Sequence, residues 1–359
     1  MKAAVLKEFG APLSVQEVPD PKLGTGEVIV DVVATAVLPY TDEVFSGARR
    51  YLLTLPVVPG LGAVGRVRAF GPDATRLAVG DWVLCDPTVR SRDGVLTPDI
   101  TLQGWSARGE GGLHLQKHYG QGSFAEQLLV PTENVFPLGS IDPAQAGRWT
   151  ALGVCLVPYG GLLAAGLTAG ETVLISGATG NFGSAAVAVA LAMGAGCVVA
   201  PGRNGAVLAD LERRFGPRLR TVSLTGDEET DRQRMKQAAP GPIDVVLDLL
   251  PPTAGTRPVR AAAMTVRERG RVVLMGGVGM LGGEDLALPY PWIMRNSITV
   301  QGQWMFPPET NARLIELVRS GLLDLGQFEV TEFALDEAEK AVAHAAAGNG
   351  RFAVTVLRP

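Results

Sequence analysis

The stretch ETVLISGATGNFGSAAVAVALAMGA, residues 171–195, decides the fold. A short apolar run ends at Ser176, glycines follow at 177, 180 and 183, and Ala and Val then dominate. This order predicts a buried strand, a tight glycine turn and an apolar helix. Glycines let the backbone approach a pyrophosphate, and the N–H groups and dipole of the helix start attract its charge. The spacing is GxxGxxG rather than GxGxxG, so alone it also fits an ordinary strand–helix turn.

Apolar runs recur after this turn, with helix-like segments between most of them. We predict strands at 172–176, 196–200, 221–224, 244–249, 271–275 and 298–301. Strands joined by crossovers predict an α/β fold with a doubly wound, six-stranded parallel sheet. Asp142 followed by Pro143 predicts a helix start before this region.

The earlier part of the chain has a different pattern of apolar and turn residues. Short β-rich runs at 3–6, 28–34, 65–70, 82–85 and 125–130 alternate with Gly, Pro and Asp turns, which predicts a mostly antiparallel β unit. Residues 86–122 are interpreted as an extended loop that either borders a substrate cleft or is an exposed excursion. The tail has predicted helices at 309–320 and 335–347 and a strand at 352–357. It is too short for a third core, so we expect it to pack against the first unit.

Length and composition limit the function classes. The chain has 359 residues, which suggests two domains, and its net charge of −4 argues against nucleic acid as a partner. The N-terminal stretch lacks the apolar core of a signal peptide, and turn residues interrupt the apolar stretches 151–169 and 184–200. We therefore expect a cytoplasmic protein without membrane spans. Cys85, Cys155 and Cys197 form no CxxC pair and are predicted to be buried thiols.

The segment CVVAPGRNGAVLAD, residues 197–210, bears on the choice of cofactor. An NAD site usually has an acid about twenty residues beyond the turn, where it holds the ribose hydroxyls. No acid occurs from 196 to 209, and Arg203 and Asn204 follow Gly202 where a 2′-phosphate would lie. A guanidinium binds phosphate through charge-assisted hydrogen bonds. We therefore predict NADP(H), the alternative being a solvated loop arginine.

Topology adds the loops at the carboxyl ends of the later strands to the predicted cofactor site. The candidate cofactor contacts are Gly177, Thr179, Gly180, Asn181, Phe182, Gly183, Gly202, Arg203, Asn204, Leu249, Leu250, Gly276, Gly277 and Val278.

Six further segments, together with the glycine turn, resemble the medium-chain dehydrogenase/reductase superfamily. They are MKAAVLKEFGAPLSVQEVPDPKLGTGEVIVDVVAT (1–35), VPGLGAVGRV (58–67), GDWVL (80–84), QGSFAEQLLVP (121–131), GRVVLMGG (270–277) and GRFAVTVL (350–357). The resemblance covers essentially the whole chain and points to the zinc-free, quinone oxidoreductase-like branch. It implies a β-rich GroES-like catalytic domain at 1–140 and 303–359, a Rossmann NADP-binding domain at 141–302, and a homodimer or homotetramer.

The residues that bind catalytic zinc in relatives are replaced here. Zinc-dependent relatives carry a Cys just after the first long strand and a His-Glu pair in a GHE segment, whereas this chain has Leu38 and Leu61-Gly62. The four-cysteine lobe of many relatives is also absent from 86–122. His114 and His118 remain as a possible pair, and without further ligands they are interpreted as structural or exposed. We predict no metal.

Without zinc, no strong Lewis acid acts on a carbonyl oxygen. Quinones and α,β-unsaturated carbonyls are electron-poor and accept hydride with only a hydrogen-bond donor or a proton source nearby. We therefore predict an NADPH-dependent oxidoreductase that reduces a small quinone or α,β-unsaturated carbonyl substrate. Two alternatives remain open: an NADPH-dependent alcohol dehydrogenase, or ketone or aldehyde reductase, without zinc, and a non-catalytic NADPH-binding sensor.

The resemblance also suggests catalytic candidates near the replaced zinc ligands. Tyr40 is the predicted donor with Thr41 as a hydroxyl relay, and Tyr51 is the competing candidate. Packing is the alternative role for both tyrosines. Trp304 is predicted either to stack on substrate or to pack in the core. Quinone reductase-like relatives tend to carry Asn where this chain has Leu38, so their substrate contacts do not carry over directly.

Overall fold

A computed structural model describes residues 1–348 and 351–359 of the chain. Asn349 and Gly350, the second of which begins the family-like closing segment, lie outside the described residues. The chain forms two compact units, Met1–Gly153 with Leu325–Pro359, and Val154–Asp324. The boundaries between the catalytic and the NADP-binding domain, at 140/141 and 302/303, stay a prediction.

The first unit is rich in β-structure. Its strands are β1 (Lys2–Val5), β2 (Ser14–Glu17), β3 (Glu27–Val37), β4 (Ala63–Phe70), β5 (Trp82–Cys85), β6 (Thr88–Arg90), β7 (Ile100–Leu102), β8 (Ser106–Arg108), β9 (Gln127–Pro131) and β10 (Val135–Pro137), with β17 (Glu329–Ala334) and β18 (Ala353–Arg358) from the end of the chain. Its helices are α1 (Thr41–Phe45), α2 (Gly109–Tyr119), α3 (Ala146–Trp149) and α11 (Ala338–Ala347), with 3₁₀ turns at Thr132–Asn134, Pro143–Gln145, Leu325–Gln327 and Leu335–Glu337.

The main sheet of this unit has the order β10-β5-β4-β3-β18-β17, and β9 also pairs with β3. All of these pairs are antiparallel except β17 with β18. The return of β18 to β3 confirms that the tail packs against the first unit. Asp142 accepts a hydrogen bond from the Ala144 N–H, which confirms the predicted start, although the turn it begins is 3₁₀.

The prediction of an extended loop over 86–122 is wrong for much of that stretch. Its longest irregular part is 91–99, whereas β6, β7 and β8 form a small sheet on which α2 packs. A Cβ on Gly111 would overlap the Asp99 carboxylate, and one on Gly112 would overlap the Ile100 carbonyl oxygen. These glycines allow the close packing of helix on strand, and they also remove the apolar periodicity from which a helix is predicted. We call residues 86–119 the lobe.

The second unit is built on a parallel sheet. Its strands are β11 (Thr172–Ser176), β12 (Cys197–Gly202), β13 (Leu219–Ser223), β14 (Ile243–Asp248), β15 (Val266–Leu274) and β16 (Thr299–Gly302). Its helices are α4 (Leu152–Ala164), α5 (Asn181–Ala192), α6 (Gly205–Phe215), α7 (Glu228–Ala238), α8 (Thr256–Ala263), α9 (Tyr290–Arg295) and α10 (Thr310–Arg319), with a 3₁₀ turn at Gly216–Arg218.

The order β13-β12-β11-β14-β15-β16, parallel throughout, confirms the doubly wound six-stranded sheet. The predicted strand ends agree within two residues except at the start of β15, which begins five residues earlier. An irregularity in the pairing with β14 and a positive φ of 59° at Arg269 interrupt that early part. Strand β11 is buried along its whole length, as expected for a central parallel strand covered on both faces.

The first half of the apolar stretch 184–200 and the three thiols are buried as predicted. Residues 183–191 of α5 are all buried, and the three cysteines are free and buried. Within the described part of the chain, no helix is both long and apolar enough to cross a membrane.

A hydrogen bond to the buried side chain of Asp248 links the C-terminal ends of strands β11 and β14. Ser176 and Asp248 are register partners, and the Ser176 hydroxyl donates a 2.8 Å hydrogen bond to Asp248 Oδ1. Asp248 is 3% exposed, and burial raises its pKa to about 6, against the opposing effect of hydrogen bonds from Ser176 and Leu250. The folded protein therefore holds more protons than the unfolded chain between the ordinary and the raised pKa. Stability consequently falls as pH rises through this window.

The substitution Asp248→Asn tests this effect, because an amide cannot ionise but keeps an oxygen for the Ser176 hydroxyl. From about pH 4 to about pH 7, the unfolding free energy of the wild type should fall relative to the variant by roughly 3 kcal/mol, the value of about two pKa units. Urea unfolding at several pH values measures this, with the exposed Asp285→Asn as the matched control. A difference that stays constant over this range would contradict the account.

Candidate functional site

The glycine turn between β11 and α5 is fixed by a close backbone approach. Gly177 has a φ of 89°, in the region that favours glycine, and its carbonyl accepts the Gly180 N–H at 3.0 Å. A Cβ on Gly183 would overlap the carbonyl oxygen of Gly177. The first turn of α5 therefore lies directly against the turn, with Gly180 as its N-cap in an extended conformation. The backbone N–H groups at this helix start are the kind of anion site that holds a pyrophosphate.

The carboxyl end of β12 lies against the same turn. A Cβ on Gly202 would stand 2.5 Å from Thr179 Cγ2, so Gly202 and the turn meet without space for a side chain. Arg203 follows and is exposed, and it has no hydrogen-bond or ion-pair partner in the part of the chain that the structure describes. Asn204 has a structural role as well, because its Oδ1 accepts the Ala206 N–H at 3.0 Å as the N-cap of α6.

The carboxyl ends of β14 and β15 complete the edge that carries the glycine turn. The Leu249 N–H donates to the Ser176 carbonyl at 3.0 Å, and the Gly277 N–H donates to the Leu250 carbonyl at 2.8 Å. A Cβ on Gly276 would lie 2.5 Å from Asp248 Oδ2. The structure thus brings the predicted glycines and strand-end residues, with half-buried Asn181, Phe182 and Val278, to one edge of the sheet. This backbone-lined edge fits a dinucleotide.

The positions of the missing zinc ligands lie after β3 and before β4. Leu38 and Leu61 are half-buried and offer no donor atom, and Gly62 adopts a φ of 66°. A Cβ at Gly62 would overlap the Cys85 carbonyl oxygen, so the backbone here has no space for a glutamate. No group of three or more His, Cys, Asp or Glu that could hold a metal occurs among the described residues. The residues present at these positions do not fit the zinc of the zinc-dependent relatives.

A buried hydroxyl pair holds this segment in place. Thr35 Oγ1 donates to the Gly62 carbonyl at 2.9 Å and lies 2.6 Å from Ser123 Oγ. Both side chains are fully buried. A Cβ on Gly60 would stand 2.6 Å from the same Ser123 Oγ. The glycines at 60 and 62 therefore permit close packing of this segment.

Tyr40 lies in an aromatic cluster beside these positions. Its ring centroid is 5.9 Å from that of Trp105 in an edge-on arrangement, and Arg49 Cζ lies 4.4 Å from the Tyr40 centroid. Arg49 also forms a 2.7 Å ion pair with Glu43. Burial raises the pKa of the Tyr40 phenol well above its ordinary value, Tyr51 adds to the rise, and Arg49 opposes it. Tyr40 therefore stays protonated at neutral pH and can act as a hydrogen-bond donor.

The other catalytic candidates lie in different settings. Thr41 is 1% exposed and its hydroxyl donates to the Leu38 carbonyl at 2.7 Å, so its proton is already engaged. Tyr51 is half-buried and close enough to influence Tyr40. Trp304 belongs to the second unit, where it follows β16 and is 46% exposed, so it is not a core residue of that unit.

Sequence reasoning did not identify Trp105 and Arg49 as neighbours of Tyr40. Trp105 is 2% exposed and comes from the lobe, which is fastened to the 51–54 segment by the Ala107 N–H to Leu52 carbonyl bond at 2.7 Å. The segment QGW contains the one sequence signal that points to Trp105. A large aromatic residue stands there alone in a glycine-rich stretch, and no helical or strand pattern accounts for it. The lobe thus supports the tyrosine region.

The two histidines of the lobe have no metal-binding arrangement. His114 is exposed, while His118 Nε2 hydrogen-bonds to the Glu27 carboxylate and its ring stacks edge-on with Tyr119 at 4.5 Å. Although burial raises the pKa of Glu27, hydrogen bonds from His118, the Gly24 N–H and Tyr119 hold it below its ordinary value. The pair joins α2 to the start of β3, which is a structural role.

Comparisons with known proteins agree with the two-part fold. The family model for the alcohol dehydrogenase GroES-like domain matches residues 24–140, and that for zinc-binding dehydrogenase matches residues 182–320. The chain is 34% identical over 198 residues to an alcohol dehydrogenase from Rhizobium meliloti (strain 1021), covering 54% of this chain and 55% of that protein. It is 29% identical over 296 residues to an acryloyl-coenzyme A reductase from Metallosphaera sedula, covering 81% of each.

Solved structures share the fold along the whole chain. A structure described as a zinc-binding dehydrogenase from Sinorhizobium meliloti 1021 bound to NADP superposes with a TM-score of 0.79 at 22% identity, covering 100% of this chain and 99% of that one. The two family models together span most of the chain, and the parallel sheet, the β-rich unit and the returning tail agree with them. The chain therefore belongs to the medium-chain dehydrogenase/reductase family of oxidoreductases.

Proposed function

We propose that this protein is a zinc-independent, NADPH-dependent oxidoreductase that transfers hydride to a small quinone or α,β-unsaturated carbonyl compound. The observation that carries the proposal is the replacement of the zinc ligands by Leu38, Leu61 and Gly62, the last without space for a side chain. An oxygen in this region would lack a metal to polarise it, which favours an acceptor that is itself electron-poor. The homodimer or homotetramer and the cytoplasmic location remain predictions.

The cofactor preference is supported by charge at the end of β12. Arg203 is exposed, and no described residue neutralises it. A 2′-phosphate would gain a charge-assisted hydrogen bond there, and no acid stands between 196 and 209 to bind ribose hydroxyls instead. The backbone edge formed by Gly177, Gly183 and Gly202 would hold the dinucleotide, which supplies a hydride when bound.

The acceptor chemistry balances without a metal. An enone gains a hydride at its β-carbon and a proton at its α-carbon, so that the C=C bond becomes C–C and NADPH becomes NADP⁺. A quinone gains the same hydride and proton and becomes a hydroquinone. We propose that the Tyr40 hydroxyl donates a hydrogen bond to the acceptor oxygen, where negative charge develops. The similarity to a reductase named for acryloyl-coenzyme A, whose acyl group is an activated alkene, supports this acceptor class.

The direct test is NADPH oxidation by chelator-treated protein with a quinone, an enone and a simple ketone, with NADH in parallel. We expect turnover with the quinone or the enone, preference for NADPH, and no loss of rate on removing metal. The same protein re-supplied with zinc is the control. Turnover restricted to the simple ketone would favour a carbonyl reductase, NADPH binding without turnover would favour a sensor, and preference for NADH would contradict the role of Arg203.

The role of Tyr40 is tested by Tyr40→Phe, which keeps the ring that contacts Arg49 and Trp105 and removes only the hydroxyl. We expect kcat to fall by about tenfold to a hundredfold with NADPH affinity unchanged, because one donor to a developing charge is lost. Tyr51→Phe is the matched control. A large loss in Tyr51→Phe alone would transfer the role to Tyr51.

A further inference from the structure

Pairing of β12 with β13 brings a second set of polar groups beside Arg203. Gly202 is the register partner of Ser223, and the Leu224 N–H donates to the Gly202 carbonyl at 2.9 Å. Neighbouring strands lie about 4.8 Å apart. The last residue of β13 therefore stands next to the residue that precedes Arg203. The Ser223 side chain is exposed, and its hydroxyl has no partner among the residues that the structure describes.

A second guanidinium reaches this strand end from α7. Arg234 is exposed, and its Nη1 donates a 3.0 Å hydrogen bond to the Ser223 carbonyl. That bond uses one of its five N–H donors. No acid in the described part of the chain forms an ion pair with Arg234. Its charge is therefore held at the end of β13 and remains available to an anion.

The acidic residues of α7 do not neutralise this charge, because each is engaged elsewhere. Asp231 is 6% exposed and accepts hydrogen bonds from the Thr225 N–H, the Thr225 hydroxyl and the Gly226 N–H. The N-cap residue Asp227 accepts a hydrogen bond from the Thr230 N–H, Glu228 forms an ion pair with Arg260, and Glu229 forms one with Arg232. The free positive charge at the strand ends thus comes from Arg203 and Arg234.

We propose that Arg234 and Ser223, together with Arg203, form the subsite for the 2′-phosphate of NADPH. The dianionic phosphate would sit beyond the ends of β12 and β13, with one guanidinium from each side and the Ser223 hydroxyl as a further donor. Two guanidiniums match the charge of the phosphate, and each forms charge-assisted hydrogen bonds. This inference rests on the NADPH preference in the proposed function and extends it to two residues distant in sequence from Arg203.

A binding measurement separates this role from catalysis. Adenosine 2′,5′-bisphosphate and adenosine 5′-monophosphate differ only in the 2′-phosphate, and calorimetric titration of the full chain with each requires no hydride acceptor. Arg234→Gln should weaken binding of the bisphosphate by about tenfold or more, the loss expected for a charged hydrogen bond. It should change binding of the monophosphate by less than about twofold. Arg234→Lys keeps the charge without the planar fork and should lose affinity for the bisphosphate to a smaller extent.

The matched control is Arg220→Gln, because Arg220 is exposed on β13 itself but stands three residues before Ser223. It should leave both affinities unchanged. The inference would be overturned if Arg234→Gln weakened binding of both nucleotides equally, so that the ratio of their affinities stayed unchanged. It would also be overturned if Arg220→Gln weakened binding of the bisphosphate as much as Arg234→Gln does. A wild type that prefers the bisphosphate while Arg234→Gln keeps that preference refutes the subsite alone. A wild type without any preference refutes NADPH selectivity, and the subsite with it.

Discussion

The close approach of Gly183 to the Gly177 carbonyl is the constraint on which the second unit depends. It sets the first turn of α5 directly on the end of β11, and it brings the backbone N–H groups of the helix start to the glycine turn. The ends of β12 and β14 then meet the same turn through Gly202 and Leu249, and the end of β15 packs against the end of β14 through Gly276. One steric requirement at the helix start thus forms a backbone-lined edge suited to a dinucleotide.

A second set of close contacts determines the chemistry proposed for the first unit. Gly60 and Gly62 pack against Ser123 and the Cys85 carbonyl, and Thr35 bonds the Gly62 carbonyl. This segment has become part of the core rather than a ligand-bearing loop. The neighbouring aromatic cluster, with Arg49 over Tyr40, offers a protonated hydroxyl, which in the proposed function takes the place of a metal. An acceptor that is already electron-poor suits such a region.

The features predicted from sequence are those with strong local signals. The strand, glycine turn and helix of 171–195 were predicted closely because apolar period and turn residues agree there. Helix α2 was missed because Gly111 and Gly112, which allow it to pack on β7, also remove its apolar pattern. Trp105 and Arg234 were missed for another reason. Trp105 reaches Tyr40 through the lobe, and Arg234 contacts the end of β13, which only strand pairing brings next to β12; neither relation is encoded in local spacing.

The most direct measurement of the central claim is the fate of the hydride in metal-free protein. An enone is reduced with NADPH carrying deuterium at the transferred position of the nicotinamide, and the product is examined by NMR. The account predicts deuterium at the β-carbon, the carbonyl retained, and a rate independent of added zinc. Deuterium at the carbonyl carbon, or reduction that occurs only when zinc is supplied, would contradict it.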